Sequence, residues 1–117
     1  MRDPASLLPL TSVMFHLLLS LSDADRHGYA MLKDIEQRTG GAVTLGTGTL
    51  YGLIKRALGE GLIAESRRRP RADEDDSRRR YYRLTDFGRA VLTAEAERLQ
   101  GLVAAARGKR ILRRSEG

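Results

Sequence analysis

Apolar residues near the start of the chain recur at helical spacing. They stand at i, i+3, i+4, i+7, i+8 and i+11, which places them on one stripe of a helix: Leu10, Val13, Met14, Leu17, Leu18 and Leu21. We expect this first helix to start near Pro9, because proline is tolerated in a first helical turn. Phe15 and Leu19 lie off the stripe, and this second apolar face suggests a partner helix.

The next segments alternate between polar loops and short regular elements. The polar stretch from Ser22 to Gly28 is typical of a loop. A second helix is predicted over Tyr29 to Arg38, and the run from Thr39 to Gly41 ends it. A short β-favouring run follows at Val43 to Leu45.

Helical spacing then returns in a third helix, whose apolar positions are Leu50, Leu53, Ile54, Ala57 and Leu58. Either Thr47 or Thr49 could cap its start, since threonine hydroxyls accept hydrogen bonds from first-turn amides. Gly61 stands where a left-handed residue is expected after the end of the helix.

Two β-favouring segments, Leu62 to Ser66 and Arg79 to Leu84, predict strands. A long charged loop joins them, with Pro70 and an acidic run from Asp73 to Asp76. Two antiparallel strands joined in this way form a wing.

A last helix is predicted from Thr85 and Asp86 to about Arg107. Its apolar residues form a short heptad seam at Leu92, Ala96, Leu99, Val103 and Ala106. We expect the seam to be buried against another subunit, against the first helix, or against both.

The order of the elements is that of a winged helix-turn-helix domain. The predicted fold is therefore mainly α with a small β-wing (α+β), in which the third helix enters the DNA major groove. We expect residues 1–84 to form the DNA-binding domain, including the N-terminal helix. Residues 85–117 would form a C-terminal dimerisation helix and a basic tail.

Composition points to a polyanionic partner and away from metal or thiol chemistry. Twenty-one Lys and Arg against 15 Asp and Glu give a net charge of +6, which favours nucleic acid. Cysteine is absent, and His16 and His27 are too few and too separated for a recognisable metal site, so no cofactor is expected. The stretch from Leu7 to Leu21 is too short and too polar for a membrane span and has no basic flank, so we expect a cytoplasmic protein.

The outward face of the third helix combines small and basic residues. At 100° per residue it carries Gly48, Gly52, Lys55, Arg56 and Gly59. Glycine inside a helix costs roughly 1 kcal/mol relative to alanine, which close approach of the backbone to a phosphate or groove wall would explain. The alternative is a loosely specified solvated face.

Other side chains extend this candidate DNA-binding surface. Thr47 and Thr49 could contact phosphate or base edges, and Tyr51 could point its hydroxyl outward or be buried in the core. Arginines at the bases of the wing could straddle phosphates or enter a minor groove, or belong to a solvated loop with internal ion pairs. The full candidate set is Thr47, Gly48, Thr49, Tyr51, Gly52, Lys55, Arg56, Arg69, Arg71, Arg78, Arg79 and Arg80.

Several motifs resemble those of PadR-type transcriptional regulators. They are His27-Gly28-Tyr29, Gly46-Thr47-Gly48-Thr49-Leu50-Tyr51, Gly61-Leu62-Ile63 and Arg80-Tyr81-Tyr82-Arg83-Leu84-Thr85 with Gly88. The resemblance implies a dimeric repressor at a pseudo-palindromic operator, usually released by a small effector. It places the reading helix at Thr47 to Leu58, the wing at Leu62 to Leu84, and the dimer seam at Leu92 to Ala106 with the first helix.

Two sets of residues follow from this division. The predicted homodimer interface contains Phe15, Leu18, Leu92, Ala96, Leu99, Val103 and Ala106. An effector pocket near that seam would use Met14, Phe15, Leu18 and Leu99. The chain departs from several relatives in having Gly52 in place of a proline, and in having no tryptophan for stacking flat aromatic drugs.

Two other classes of function stay open at this point. The chain could bind RNA or nucleic acid in general through its arginines, without sequence readout. It could also be a winged-helix module that contacts protein. An enzyme is the least favoured class, because the sequence has no catalytic constellation.

Overall fold

The computed structural model describes residues 2–67 and 80–113. Within them, a short 3₁₀ helix (Pro4–Leu7) precedes α1 (Ser12–Ser20), β1 (Arg26–His27), α2 (Gly28–Arg38), α3 (Thr47–Gly59), β2 (Ile63–Glu65), β3 (Tyr81–Leu84) and α4 (Asp86–Gly108). Four α-helices and a small antiparallel sheet of three strands make up this part of the chain. The predicted α+β class is confirmed.

The first helix starts later than its apolar pattern predicts. Thr11 is the N-cap, and its hydroxyl accepts from the backbone N–H of Met14 at 3.2 Å. Pro9 and Leu10 therefore lie outside α1. The backbone N–H of Leu10 instead donates to the carboxylate of Glu95 on α4, at 2.8 Å.

The sheet contains one strand that the pattern missed. Its order is β1, β3, β2, with β3 central and antiparallel to both neighbours. Arg26 pairs with Tyr82 and His27 with Tyr81, so the segment predicted as a loop supplies β1. The predicted short strand at Val43 to Leu45 is wrong, because β1 is the segment that pairs with that edge of β3.

The core lies where α1, α2, α3 and the first half of α4 meet the sheet. Its buried members are Met14, Leu17, Leu18, Leu21, Met31, Leu50, Ile54, Ala57, Leu62, Ile63, Tyr82, Val91 and Leu92. Tyr81 is also buried, although it alternates with Tyr82 on β3. The imidazole of His27 covers its ring edge-on, with the two ring centroids 5.2 Å apart.

The end of α3 is joined closely to the start of α4. Gly61 has φ +74°, as predicted for the residue that follows the helix cap. The hydroxyl of Thr85, the N-cap of α4, shares its single proton between the carbonyl oxygens of Gly61 and Leu62, which lie 2.6 and 3.0 Å away. The same hydroxyl accepts from the N–H of Gly88 at 2.9 Å. The joint between the two helices is thus made of backbone carbonyls on one side and a capping threonine on the other.

Candidate nucleic-acid interface

The helix α3 has one buried and one exposed face, as its sequence predicts, except that Leu58, predicted on the apolar face, is 40% exposed. Leu50, Ile54 and Ala57 are buried against the core. The predicted outward positions are all exposed: Gly48, Gly52, Lys55, Arg56 and Gly59. Small and basic residues therefore share one accessible surface of the helix.

The start of α3 differs from the prediction that a threonine caps it. Gly46 is the N-cap, and the helix has no side-chain capping hydrogen bond there. Thr47 and Thr49 lie in the first turn and both are exposed. Their hydroxyls are consequently on the accessible surface, beside Gly48.

Tyr51 connects this surface to the start of α2. The side chain is 50% exposed, which rules out the alternative of a buried core tyrosine. Its hydroxyl oxygen lies 3.0 Å from the position that a Cβ on Gly28 would take. Because Gly28 has no side chain, the phenol of Tyr51 can pack directly against its backbone.

A second exposed aromatic residue next to this contact was missed from the sequence. Tyr29 is 54% exposed and directly follows Gly28. The ammonium of Lys33 lies 5.3 Å from the centroid of the Tyr29 ring, within cation–π range. The signal available in the sequence was a tyrosine four residues before a lysine in the second predicted helix.

Only part of the predicted arginine cluster falls within the described residues. Arg67 and Arg80 flank the wing and are exposed. The other candidates in the wing, Arg69, Arg71, Arg78 and Arg79, lie outside the described residues, as does the acidic run from Asp73 to Asp76.

The electrostatics of Tyr82 connect α3 with the base of the wing. Burial raises the pKa of the Tyr82 phenol, the charge of Arg80 opposes that rise, and Tyr51 and Glu65 add to it. Tyr82 is buried in the core.

The comparison with known families agrees with this geometry. The sequence profile of the "Transcriptional regulator PadR-like family" matches residues 17–94, from α1 into α4. The chain belongs to the PadR-like family of transcriptional regulators.

One curated relative is similar in sequence to most of this PadR-like chain. An uncharacterized 37.1 kDa protein of transposon TN4556 in Streptomyces fradiae is 38% identical over 90 residues. The match covers 74% of this chain and 24% of the relative, so the chain spans about a quarter of that protein.

Solved PadR structures share the fold. A PadR family transcription regulator from Clostridium difficile R20291 superimposes with a TM-score of 0.68 at 22% identity, covering 84% of this chain and 97% of that one. Bacillus subtilis PadR in complex with operator DNA gives 0.60 at 19% identity, covering 72% and 46%. These likenesses establish the winged helix-turn-helix architecture of the PadR-like chain.

The predicted dimer seam divides into a buried and an exposed part. Leu92 is 6% exposed and belongs to the core of the chain itself, as does Leu18 of α1, which is fully buried. Leu99 and Val103 are each 36% exposed, and Ala96 is exposed. Phe15 and Ala106 are half-buried. The accessible apolar surface of α4 therefore begins after Glu95.

The four residues predicted for an effector pocket lie in different environments. Met14 and Leu18 are in the core, Phe15 packs at its edge, and Leu99 is on the exposed part of α4. Met14 also lines a cavity of about 220 Å³ with Leu8, Leu10 and other residues, between α1 and the end of α3.

Both histidines have structural partners. His27 caps α2, its Nδ1 accepting from the N–H of Ala30 at 3.1 Å. His16 lies 3.2 Å from the guanidinium of Arg38, and burial, followed by that positive charge, lowers its pKa. In the described ranges no three His, Asp or Glu side chains come together as a metal site. Across residues 2–67 and 80–113, none of the helices is long and apolar enough to cross a membrane.

Proposed function

We propose that the PadR-like chain binds a specific operator and that α3 reads the major groove. The observation that carries the proposal is the division of α3 into a buried apolar face and an exposed face of threonines, glycines and basic residues. Thr47 and Thr49 offer hydroxyls at the start of the helix, where a recognition helix contacts base edges. Gly48 and Gly52 leave room for the backbone to approach the groove wall, since their Cβ positions are open.

Phosphate contacts would come from the basic side chains around this helix. Lys55 and Arg56 are exposed on α3, and Arg80 is exposed at the base of the wing. Arg56 pairs with Glu60 across 3.6 Å, and because the guanidinium side chain is 67% exposed, this ion pair is weak enough to exchange for a phosphate. The wing arginines at 69, 71, 78 and 79 belong to the same proposed surface.

A homodimer would present two such helices to a pseudo-palindromic operator. The first half of α4 packs on the core, whereas Leu99, Leu102 and Val103 of its second half are exposed apolar residues. An isologous contact between two copies of this surface would bury them and relate the two α3 helices by a two-fold axis. Residues 1–84 then form the DNA-binding part and residues 85–117 the dimerisation part.

Repression and release by a small effector complete the proposal. An operator near the gene's own promoter, occupied by the dimer, would block transcription, as the family resemblance implies. Phe15 and Leu99 are the two proposed pocket residues whose side chains are not buried in the core. An effector at the seam would act by changing how the two copies of α4 pack.

Fluorescence anisotropy on DNA from the gene's own upstream region tests the proposal. A shuffled duplex of the same length and composition is the control, and both are titrated from low to physiological salt. We expect at least about 10³-fold preference for the upstream duplex. Equal binding that collapses with salt would favour general nucleic-acid binding through phosphates, and no binding at moderate salt would favour a protein-interaction module.

A further inference from the structure

The segment before α1 connects the end of α3 with the start of α4. We call residues 2–10 the N-terminal strap. The Nη1 atom of Arg2 donates to the carbonyl of Glu60 at 2.8 Å, and its guanidinium carbon lies 5.0 Å from the ring centroid of Phe87. Glu60 is the C-cap of α3, and Phe87 lies in the first turn of α4. One side chain thus bridges the two helices.

The chemistry of this bridge suits its position. The last carbonyls of a helix lack partners within the helix and carry the negative end of its dipole, so a guanidinium is favoured there. The hydrogen bond is charge-assisted, and the ring of Phe87 supplies a cation–π contact to the same group. Arg2 therefore has a favourable partner on each of the two helices that it connects.

The other end of the strap is fixed to α4 by a buried carboxylate. Glu95 is 1% exposed, and its Oε2 accepts from the N–H of Leu10 at 2.8 Å. Arg98 neutralises it through Nε, 2.5 Å from Oε1, and Nη2, 3.1 Å from Oε2. Between these ends the 3₁₀ helix Pro4–Leu7 packs along α4. The strap is thus held at both ends on the half of α4 that belongs to the core.

The strap also reaches the candidate DNA-binding face through Glu60. The backbone carbonyl of Glu60 accepts from Arg2, and its side chain pairs with Arg56 on the exposed face of α3. The carbonyls of Glu60, Gly61 and Leu62, which follow the last residue of α3, therefore all lie within hydrogen-bond distance of the side chain of Arg2 or Thr85.

We propose that Arg2 is a positioning residue that fixes the angle between α3 and α4, and with it the spacing of operator half-sites that the dimer accepts. The inference rests on the proposed function. If the second half of α4 holds the dimer together, the angle between α4 and α3 sets the distance and rotation between the two reading helices. Without the Arg2 bridge, each α3 helix would still bind its own half-site. The dimer, however, would accept operators with a wider range of half-site spacings.

The test measures spacing tolerance with the full chain. In vitro selection with the wild-type protein gives the half-site and its preferred spacing. Anisotropy is then measured on a single half-site, on the full site, and on full sites with one or two base pairs inserted. For the wild type, one inserted base pair should lower affinity about tenfold, the size of a typical mismatch penalty. For Arg2→Ala, affinity for a single half-site should stay within about twofold of the wild-type value. The loss of affinity caused by one inserted base pair, which we call the insertion penalty, should fall to about threefold or less.

Three further variants separate positioning from charge and from folding. Arg2→Lys keeps a cation over Phe87 and should restore part of the penalty. Lys109→Ala removes one positive charge beyond the end of α4 and should keep the wild-type penalty. Phe87→Leu removes the ring contact but not the hydrogen bond, and it replaces Arg2→Ala as the decisive variant if that protein fails to fold. Thermal unfolding of every variant shows whether it is folded.

The outcomes distinguish this inference from the proposed function. A wild-type protein without preference among duplexes would overturn operator binding, and the role of Arg2 with it, before any variant is compared. A wild-type protein with a clear insertion penalty that folded Arg2→Ala keeps in full would overturn the positioning role alone.

Discussion

Gly88 packs directly against the backbone carbonyl of Leu62, with no space for a side chain between them. A Cβ at residue 88 would overlap that carbonyl oxygen and lie 2.8 Å from its carbon. Because the clashing atoms belong to the backbone of Leu62, a side chain at residue 88 could be accommodated only if α4 moved away from the end of α3. The first turn of α4 therefore depends on this glycine.

We expect Gly88→Ala to lower the free energy of unfolding by about 1–3 kcal/mol, the usual cost of overpacking. The matched control is Gly101→Ala in the same helix, where the Cβ position is open. That change should raise stability by about 0.5–1 kcal/mol through helix propensity. Urea denaturation measures both, and equal effects of the two substitutions would contradict the tight joint.

Gly52→Ala should separate stability from DNA binding. The Cβ position at residue 52 is open, so alanine should stabilise α3 by about 0.5–1 kcal/mol. If the backbone approaches the groove there, the added methyl group should weaken operator binding at the same time. Urea denaturation and anisotropy on one preparation measure both effects. A more stable protein with unchanged affinity would favour the solvated-face interpretation of Gly52.

Arg56→Ala should weaken DNA binding without unfolding the protein, because the side chain is exposed and its ion pair with Glu60 contributes little. Removing one phosphate contact should reduce the slope of log affinity against log salt by about 0.9. A salt titration by anisotropy measures that slope. Arg107→Ala, an exposed arginine near the end of α4, is the charge-matched comparison. Identical slopes for wild type and Arg56→Ala would remove Arg56 from the interface.

Leu99→Asp should convert the proposed dimer into a monomer. Leu99 is 36% exposed beside Leu102 and Val103, and a carboxylate there would be buried without a partner on association. Gln100→Asp adds the same charge at the next exposed position and serves as the control. Sedimentation velocity gives the oligomeric state. A Leu99→Asp protein that still sediments as a dimer would refute the seam.

Glu95 should make the stability of the fold depend on acid. The hydrogen bond from Arg98 lowers the pKa of this carboxyl most strongly, burial opposes the shift, and the N–H of Leu10 lowers it further. A carboxyl with a lowered pKa stabilises the folded chain above the ordinary pKa range. That stabilisation is lost as pH falls through the lowered value.

We therefore expect Glu95→Gln to destabilise the protein at neutral pH and to flatten the fall in stability as the pH drops below the ordinary pKa of a glutamic acid. Glu97→Gln changes an exposed residue of the same helix and should have little effect. Urea denaturation across this pH range measures the difference. Parallel curves for wild type and Glu95→Gln would mean that Glu95 does not carry the acid dependence.

The strongest sequence predictions concern features set by near neighbours in the chain. The 100° repeat separated Leu50 and Ile54 from Lys55 and Arg56, and the structure has them on opposite faces of α3. The sequence predicts a left-handed conformation for Gly61, and its φ of +74° confirms this. Each of these features depends on groups within about one helical turn, so the local order of residues was sufficient.

Apart from the N-cap of α3, which is Gly46 instead of a threonine, the predictions that failed concern segments whose partners are distant in the chain. Residues 26 and 27 form a strand because Tyr81 and Tyr82 pair with them, which no pattern within Ser22 to Gly28 could indicate. Leu10 continued the apolar stripe of α1, yet its N–H bonds to Glu95, 85 residues away.

The sequence by itself determined the family motifs, the helices and the two faces of α3, because side-chain periodicity is a local property. Only the tertiary structure decided which apolar residues the chain buries within itself. Leu18 and Leu92 belong to its own core, whereas Leu99 and Val103 stay exposed. A heptad seam marks apolar positions but not the surface that covers them, and that surface is created by packing between elements far apart in sequence.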